Sequence, residues 1–146
     1  MSVVSNRKAE HLALCATDAV AYRTTGTLLD CVRLPHESLP DLDLAAIDTR
    51  THLLGKELRA PLVIAAMTGG HPYATAINRE LASVAEERGY AFGLGSQRAM
   101  EREPELGVTY RIRDVAPRVL LLGNLGVIKA RDLRTERIAT LVDEWR

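Results

Sequence analysis

Pro61-Leu62-Val63-Ile64-Ala65-Ala66-Met67-Thr68-Gly69-Gly70 is the stretch on which the fold turns. Leu62 to Ala66 is a short, unbroken apolar run, the pattern of a strand buried on both faces. Thr68-Gly69-Gly70 breaks it, and a helix is expected next, with Pro72 near its first turn. Ala74, Ile77, Leu81, Val84 and Ala85 recur at helical spacing, and Gly89 suits the C-cap. The same phrase then repeats. Tyr90 to Leu94 ends in Gly95-Ser96, and a helical stretch over about 103–113 contains Pro104 and Gly107. Val119 to Leu122 ends in Gly123-Asn124, and a helix beyond it puts Ile138, Leu141, Val142 and Trp145 on one stripe. Alternating strands and helices predict a parallel sheet with helices packed on it. Each strand delivers a glycine beside a small polar residue at its carboxyl end. Such a rim suits a (β/α)8 barrel, although a doubly wound sheet also binds ligands there.

Before this body lies a leader, residues 1–58, of irregular composition. Ser5 is expected to cap a short helix running to about Ala16. Arg7, Lys8 and His11 would share one face of it, by their spacing of three and four. Leu28 to Leu34 reads as a strand stopped by Pro35. Residues 42–59 suit a small hairpin turning at Gly55-Lys56. The expected division is therefore a leader (1–58) and an α/β body (59–146).

With 146 residues the chain fits one domain, and its 47% hydrophobic and 26% charged content is that of an ordinary globular protein. Lys and Arg (19) balance Asp and Glu (19), so no global field draws in nucleic acid or an acidic membrane, and any anion site must be local. Cys15 and Cys31 have neither a disulfide framework nor paired zinc spacing, and read as small buried thiols in a reducing compartment. No apolar run approaches membrane-spanning length, and no signal core follows the N-terminus, so a cytoplasmic location is expected.

Several residues could carry chemistry. Arg7, Lys8 and His11 make a compact cationic face near a helix N-terminus. A forked guanidinium beside a point-charge ammonium suits a phosphate or diphosphate, and a solvated basic helix end is the plain alternative. Met67-Thr68-Gly69-Gly70 offers close backbone approach and a hydroxyl, and is otherwise a simple βα turn. Gly95-Ser96-Gln97-Arg98 adds a hydroxyl, an amide and a guanidinium; its plain reading is a cap followed by a surface arginine. Asn124 tolerates left-handed geometry and by itself says little. His36, His52 and His71 lack ligand spacing and read as structural or surface residues. No nucleophilic triad, dinucleotide fingerprint or phosphate loop is present.

Taken in order, Arg7-Lys8-Ala9-Glu10-His11-Leu12, Gly55-Lys56 with Ala60-Pro61-Leu62, Ala66-Met67-Thr68-Gly69-Gly70 with Ile77-Asn78, Gly95-Ser96-Gln97-Arg98 and Asn124-Leu125-Gly126 resemble the type 2 isopentenyl-diphosphate isomerases. The likeness covers nearly the whole chain. It implies a TIM (β/α)8 barrel, of which this chain would hold the leader and about the first three βα units. It implies interconversion of isopentenyl and dimethylallyl diphosphate in isoprenoid biosynthesis, with FMN reduced by NADPH or an equivalent donor, and with Mg2+. By position, Arg7, Lys8, His11, Ser96, Gln97 and Arg98 would contact substrate, and Ala66, Met67, Thr68, Ser96 and Asn124 would line the isoalloxazine. Proton transfer would belong to the reduced flavin, so no protein acid–base pair is expected.

The family's later segments, which bind Mg2+ and the FMN phosphate, have no counterpart here, and three units cannot close an eight-stranded barrel. The expectation is therefore an N-terminal fragment, inactive alone and completed by a missing C-terminal half, the whole forming a homo-oligomer. Three rivals stand beside it. One is another FMN-dependent barrel oxidoreductase, such as a relative of the α-hydroxy-acid oxidases, whose carboxylate substrate needs no diphosphate clamp. Another is a non-catalytic remnant acting as a binding module. The third is a plain nucleotide-binding α/β domain, against which the absence of its glycine fingerprint counts.

Overall fold

The computed structural model describes residues 3–127, 131 and 134–144. Helix α1 spans Val3–Cys15, so Ser5 lies inside the first turn and not at its cap. From residue 13 to residue 50 every residue is exposed. The strand expected at Leu28 to Leu34 is instead a 3-10 turn, Leu29–Cys31, entered through Leu28 at φ 64°. Apolar content alone does not make a strand; its amides and carbonyls need a neighbouring ladder, and among the described residues none pairs with this segment. Cys15 and Cys31 are free and exposed, which corrects the expectation of buried thiols.

Strands β1 (Thr51–Leu53) and β2 (Lys56–Leu58) form the antiparallel hairpin, with Thr51 opposite Leu58 and Leu53 opposite Lys56. Its two turn residues are Leu54 and Gly55, both at positive φ (51° and 76°), one place earlier than the expected Gly55-Lys56. Two left-handed residues match the twist of a tight hairpin. Leu58 is buried, and the Arg59 amide donates to the Gly89 carbonyl at 2.9 Å, which fastens the hairpin to the body.

Three parallel strands, β3 (Val63–Ile64), β4 (Ala91–Gly93) and β5 (Leu120–Leu122), lie side by side in chain order. Val63 pairs with Ala91, and Ala91 with Leu120. Helix α2 (Pro72–Arg88) connects the first two strands. Pro72 opens it and Gly89, at φ 70°, closes it by donating its amide to the Ala85 carbonyl. Its buried residues are Ala74, Asn78, Ala82 and Ala85, whereas Leu81 and Val84 stay 38% and 42% exposed. The expected apolar stripe is thus turned partly to solvent. The buried amide of Asn78 must meet fixed partners, and that requirement sets the rotation of the helix.

In place of one helix over about 103–113 come α3 (Arg98–Arg102) and a 3-10 segment, Pro104–Tyr110, begun by the proline. Helix α4 (Thr135–Glu144) buries Leu141 fully and Ile138 partly, while Val142 is exposed. Trp145 lies outside the described residues. Phe92, Leu94, Met100, Tyr110, Ile112 and Leu141 form the centre of the core. Each large apolar side chain so buried contributes about 1.5–3 kcal/mol. The result is a mixed α/β fold in which β3, β4 and β5 point their carboxyl ends the same way.

Candidate functional site

Backbone pairing does not stop where the strands do. Beyond β3 and β4, the Gly95 amide donates to the Thr68 carbonyl at 2.9 Å. Gly95 has no side chain because none fits: a Cβ there would stand 2.2 Å from that carbonyl oxygen. Beyond β4 and β5, Gln97 and Asn124 bind each other twice. The Gln97 amide donates to the Asn124 carbonyl at 3.1 Å, and the Asn124 amide donates to Gln97 Oε1 at 2.8 Å. Gln97 Nε2 donates in turn to the Gly95 carbonyl at 2.9 Å. Gln97 is fully buried with both ends of its amide engaged, so it joins the strand-end loops.

The loop after β3 is held from behind. Gly70 sits at φ 75°, and a Cβ on it would meet Ala99 Cβ at 2.3 Å. Its amide donates to Thr109 Oγ1 at 2.9 Å, and Thr109 Oγ1 donates to the Leu106 carbonyl at 2.7 Å. Asn78 Nδ2 donates to the Thr109 carbonyl at 2.9 Å, and the Thr68 hydroxyl bonds to Asn78 Oδ1. Tyr110 packs where Gly69 lacks a side chain and donates its hydroxyl to the Ser96 carbonyl at 2.8 Å. Burial pushes the Tyr110 phenol up to about 12, so it remains protonated and a donor.

Two cavities open on these loops, and α1 supplies a wall to both. The larger, about 150 Å³, is lined by Arg7, Lys8, Ser96, Arg98, Ala99 and Arg102. No acid is among its lining residues, and Arg7, Lys8, Arg98 and Arg102 bring four cations to one hollow. Lys8 is held below the usual lysine range, first by burial and then by the charge of Arg7 beside it. The smaller, about 10 Å³, is lined by Lys8, His11, Leu12, Met67, Thr68, Gly69, His71 and Ala74. Lys8 faces both. Met67 is 58% exposed at the strand end, an apolar side chain at the mouth that a flat ring could cover.

The structure therefore gathers Arg7, Lys8, Ser96 and Arg98 around one cavity, and His11, Met67 and Thr68 around its neighbour. Ala66, Gln97 and Asn124 line neither of these two; Ala66 lies against Gly93, and Asn124 is half-buried on the loop beyond β5. The residues that sequence reasoning missed are Arg102, Asn78 and Thr109. Arg102 stands four positions after Arg98, a spacing that would have aligned them had a helix been expected at Arg98–Arg102. His71 caps α2, its Nδ1 accepting from the Tyr73 amide at 3.2 Å, in line with a structural role. Among the described residues no three His, Cys, Asp or Glu come together to hold a metal ion, and no helix is long and apolar enough to cross a membrane.

A sequence model of FMN-dependent dehydrogenases matches residues 2–105 of this chain. Among curated proteins, the isopentenyl-diphosphate delta-isomerase of Methanococcoides burtonii is 44% identical over 140 residues, covering 95% of this chain and 39% of its own length. That of Methanothermobacter thermautotrophicus is 47% identical over 125 residues (85% of this chain, 36% of its own). The Aeropyrum pernix protein of the same name is 49% identical over 123 residues (84% and 32%). The chain thus spans about 40% or less of the length of these relatives.

Proposed function

The chain belongs to the FMN-dependent dehydrogenase family, and on that premise we propose that it is the N-terminal part of a type 2 isopentenyl-diphosphate delta-isomerase. The observation that carries this reading is the cavity of four cations without an acid, sharing Lys8 with the loop after β3. A diphosphate carries several negative charges on oxygens that guanidinium forks match in pairs, so the hollow suits it better than a single carboxylate. The relatives' name agrees with that chemistry. In the whole protein the parallel strands would belong to a TIM barrel, preceded by the leader of residues 1–58. Sequential strand order and cavities on the carboxyl-end loops support that architecture.

Within it, Arg7, Lys8, Arg98 and Arg102 bind and orient the diphosphate, with Ser96 and His11 at its edges. Ala66, Met67, Thr68, Ser96 and Asn124 hold the isoalloxazine of FMN; Met67 offers it an apolar face and Thr68 a hydroxyl. Gln97 holds the loops that carry Ser96 and Asn124. Reduced FMN, when bound, supplies the proton donor and acceptor for moving the double bond, and NADPH is the reductant that readies it. Mg2+ accompanies the diphosphate, and the residues described here supply the cationic clamp. We place the protein in the cytoplasm, as a homo-oligomer completed by a C-terminal half. The second reading is an FMN-dependent oxidoreductase, in line with the description of the family model, for which a 2-hydroxy acid is the substrate to try.

One assay separates them. The protein of which this chain is part is incubated with FMN, NADPH, Mg2+ and isopentenyl diphosphate, and separately with FMN and 2-hydroxy acids. Dimethylallyl diphosphate formed only with reduced flavin supports the isomerase. Oxidation of a hydroxy acid without isomerisation would contradict it.

A further inference from the structure

One buried amide governs the loop after β3, and its neighbours fix which way it faces. Asn78 is 1% exposed. One end of its amide points at two carbonyl oxygens, Thr109 at 2.9 Å and Thr68 at 3.4 Å. Carbonyls only accept, so that end is the NH2 group and the other is Oδ1. Oδ1 meets the Thr68 hydroxyl, and an amide oxygen cannot donate. Thr68 must therefore give its single hydroxyl hydrogen to Asn78, which leaves Thr68 Oγ1 with lone pairs alone. In the cavity beside Lys8, His11 and Met67, Thr68 is then an acceptor and nothing else.

We propose that Asn78 is a positioning residue which, by taking the Thr68 hydrogen, makes this loop favour reduced over oxidised flavin. The inference rests on the proposed flavin site. Two-electron reduction of an isoalloxazine takes up two electrons and two protons, and one of the protons ends on N5. N5 thereby changes from acceptor to donor. An acceptor-only hydroxyl set against N5 would bond to the reduced form and would face a second lone pair in the oxidised form. The ring's N3–H donates in both states, so a contact there confers no redox preference.

The test compares dissociation constants for oxidised and reduced FMN, and the flavin midpoint potential, in the FMN-loaded protein of which this chain is part. The variants are Thr68→Val, Thr68→Ser and Asn78→Leu. Thr68→Val should lose about tenfold of the preference for reduced flavin, equivalent to a potential about 30 mV more negative for a two-electron couple. Thr68→Ser should keep the wild-type value. Asn78→Leu frees the hydroxyl to turn and donate to the oxidised ring, so its potential should fall in the same direction. Asn78→Leu that weakens both redox forms equally would make Asn78 merely structural and overturn the proposal. So would a wild-type potential in Thr68→Val, which decides the matter if Asn78→Leu does not fold. Wild-type protein that binds FMN in neither state would instead sink the underlying flavin reading.

Discussion

Lys8 stands between the two cavities with an ammonium that burial and Arg7 hold below the ordinary range. The folded state therefore binds fewer protons at this site than the unfolded chain. Its cost to stability is greatest below the folded pKa and fades as pH rises toward the unfolded value. Substrate binding runs the other way, because a diphosphate needs the charged form. We expect KM for the diphosphate to rise with pH earlier than an ordinary lysine would allow. Lys8→Arg should move that limb upward, since a guanidinium does not deprotonate in this range; a KM–pH profile identical in both proteins would count against Lys8 as a clamp residue. Arg7 and Lys8 were legible in the sequence as one cationic helix face, and Arg98 as a cation just past a strand-end glycine. Arg102, Asn78 and Thr109 were not, because their roles depend on which face of an element is buried, and no residue type announces that.

Helix α2 makes this plain at the scale of an element. Its start, its end and its glycine cap were readable, since Pro72 and Gly89 act through backbone geometry that is local. Its inward face was not. Leu81 and Val84 look like core residues, yet Ala74, Asn78, Ala82 and Ala85 are the buried set. Small side chains let the helix approach β4 closely, and Asn78 keys its rotation to the loop it binds. This ordering is measurable by urea unfolding. Ala82→Leu should cost about 1–3 kcal/mol by overpacking, whereas Leu81→Ala should cost about 0.5 kcal/mol or less. The opposite order would mean that α2 is rotated from the position described. The segment Leu28 to Leu34 failed for a related reason. Strand pairing is a tertiary event, and an apolar run carries no record of whether a partner exists.

Over the whole molecule, a formal net charge of zero conceals four cations on one hollow, which is why composition excluded nucleic acid but was silent on a diphosphate. Strand–helix alternation was legible because it is written in periodicity, and the parallel sheet in chain order follows it. The proposed function sets a flavin and a diphosphate side by side, joined through Lys8. Titrating the FMN-loaded protein with inorganic diphosphate while following the flavin absorbance tests this arrangement. A saturable change is expected, with affinity at least about tenfold weaker in Arg7→Ala and in Arg102→Ala. A flavin spectrum indifferent to diphosphate, or an affinity unmoved by either substitution, would contradict it.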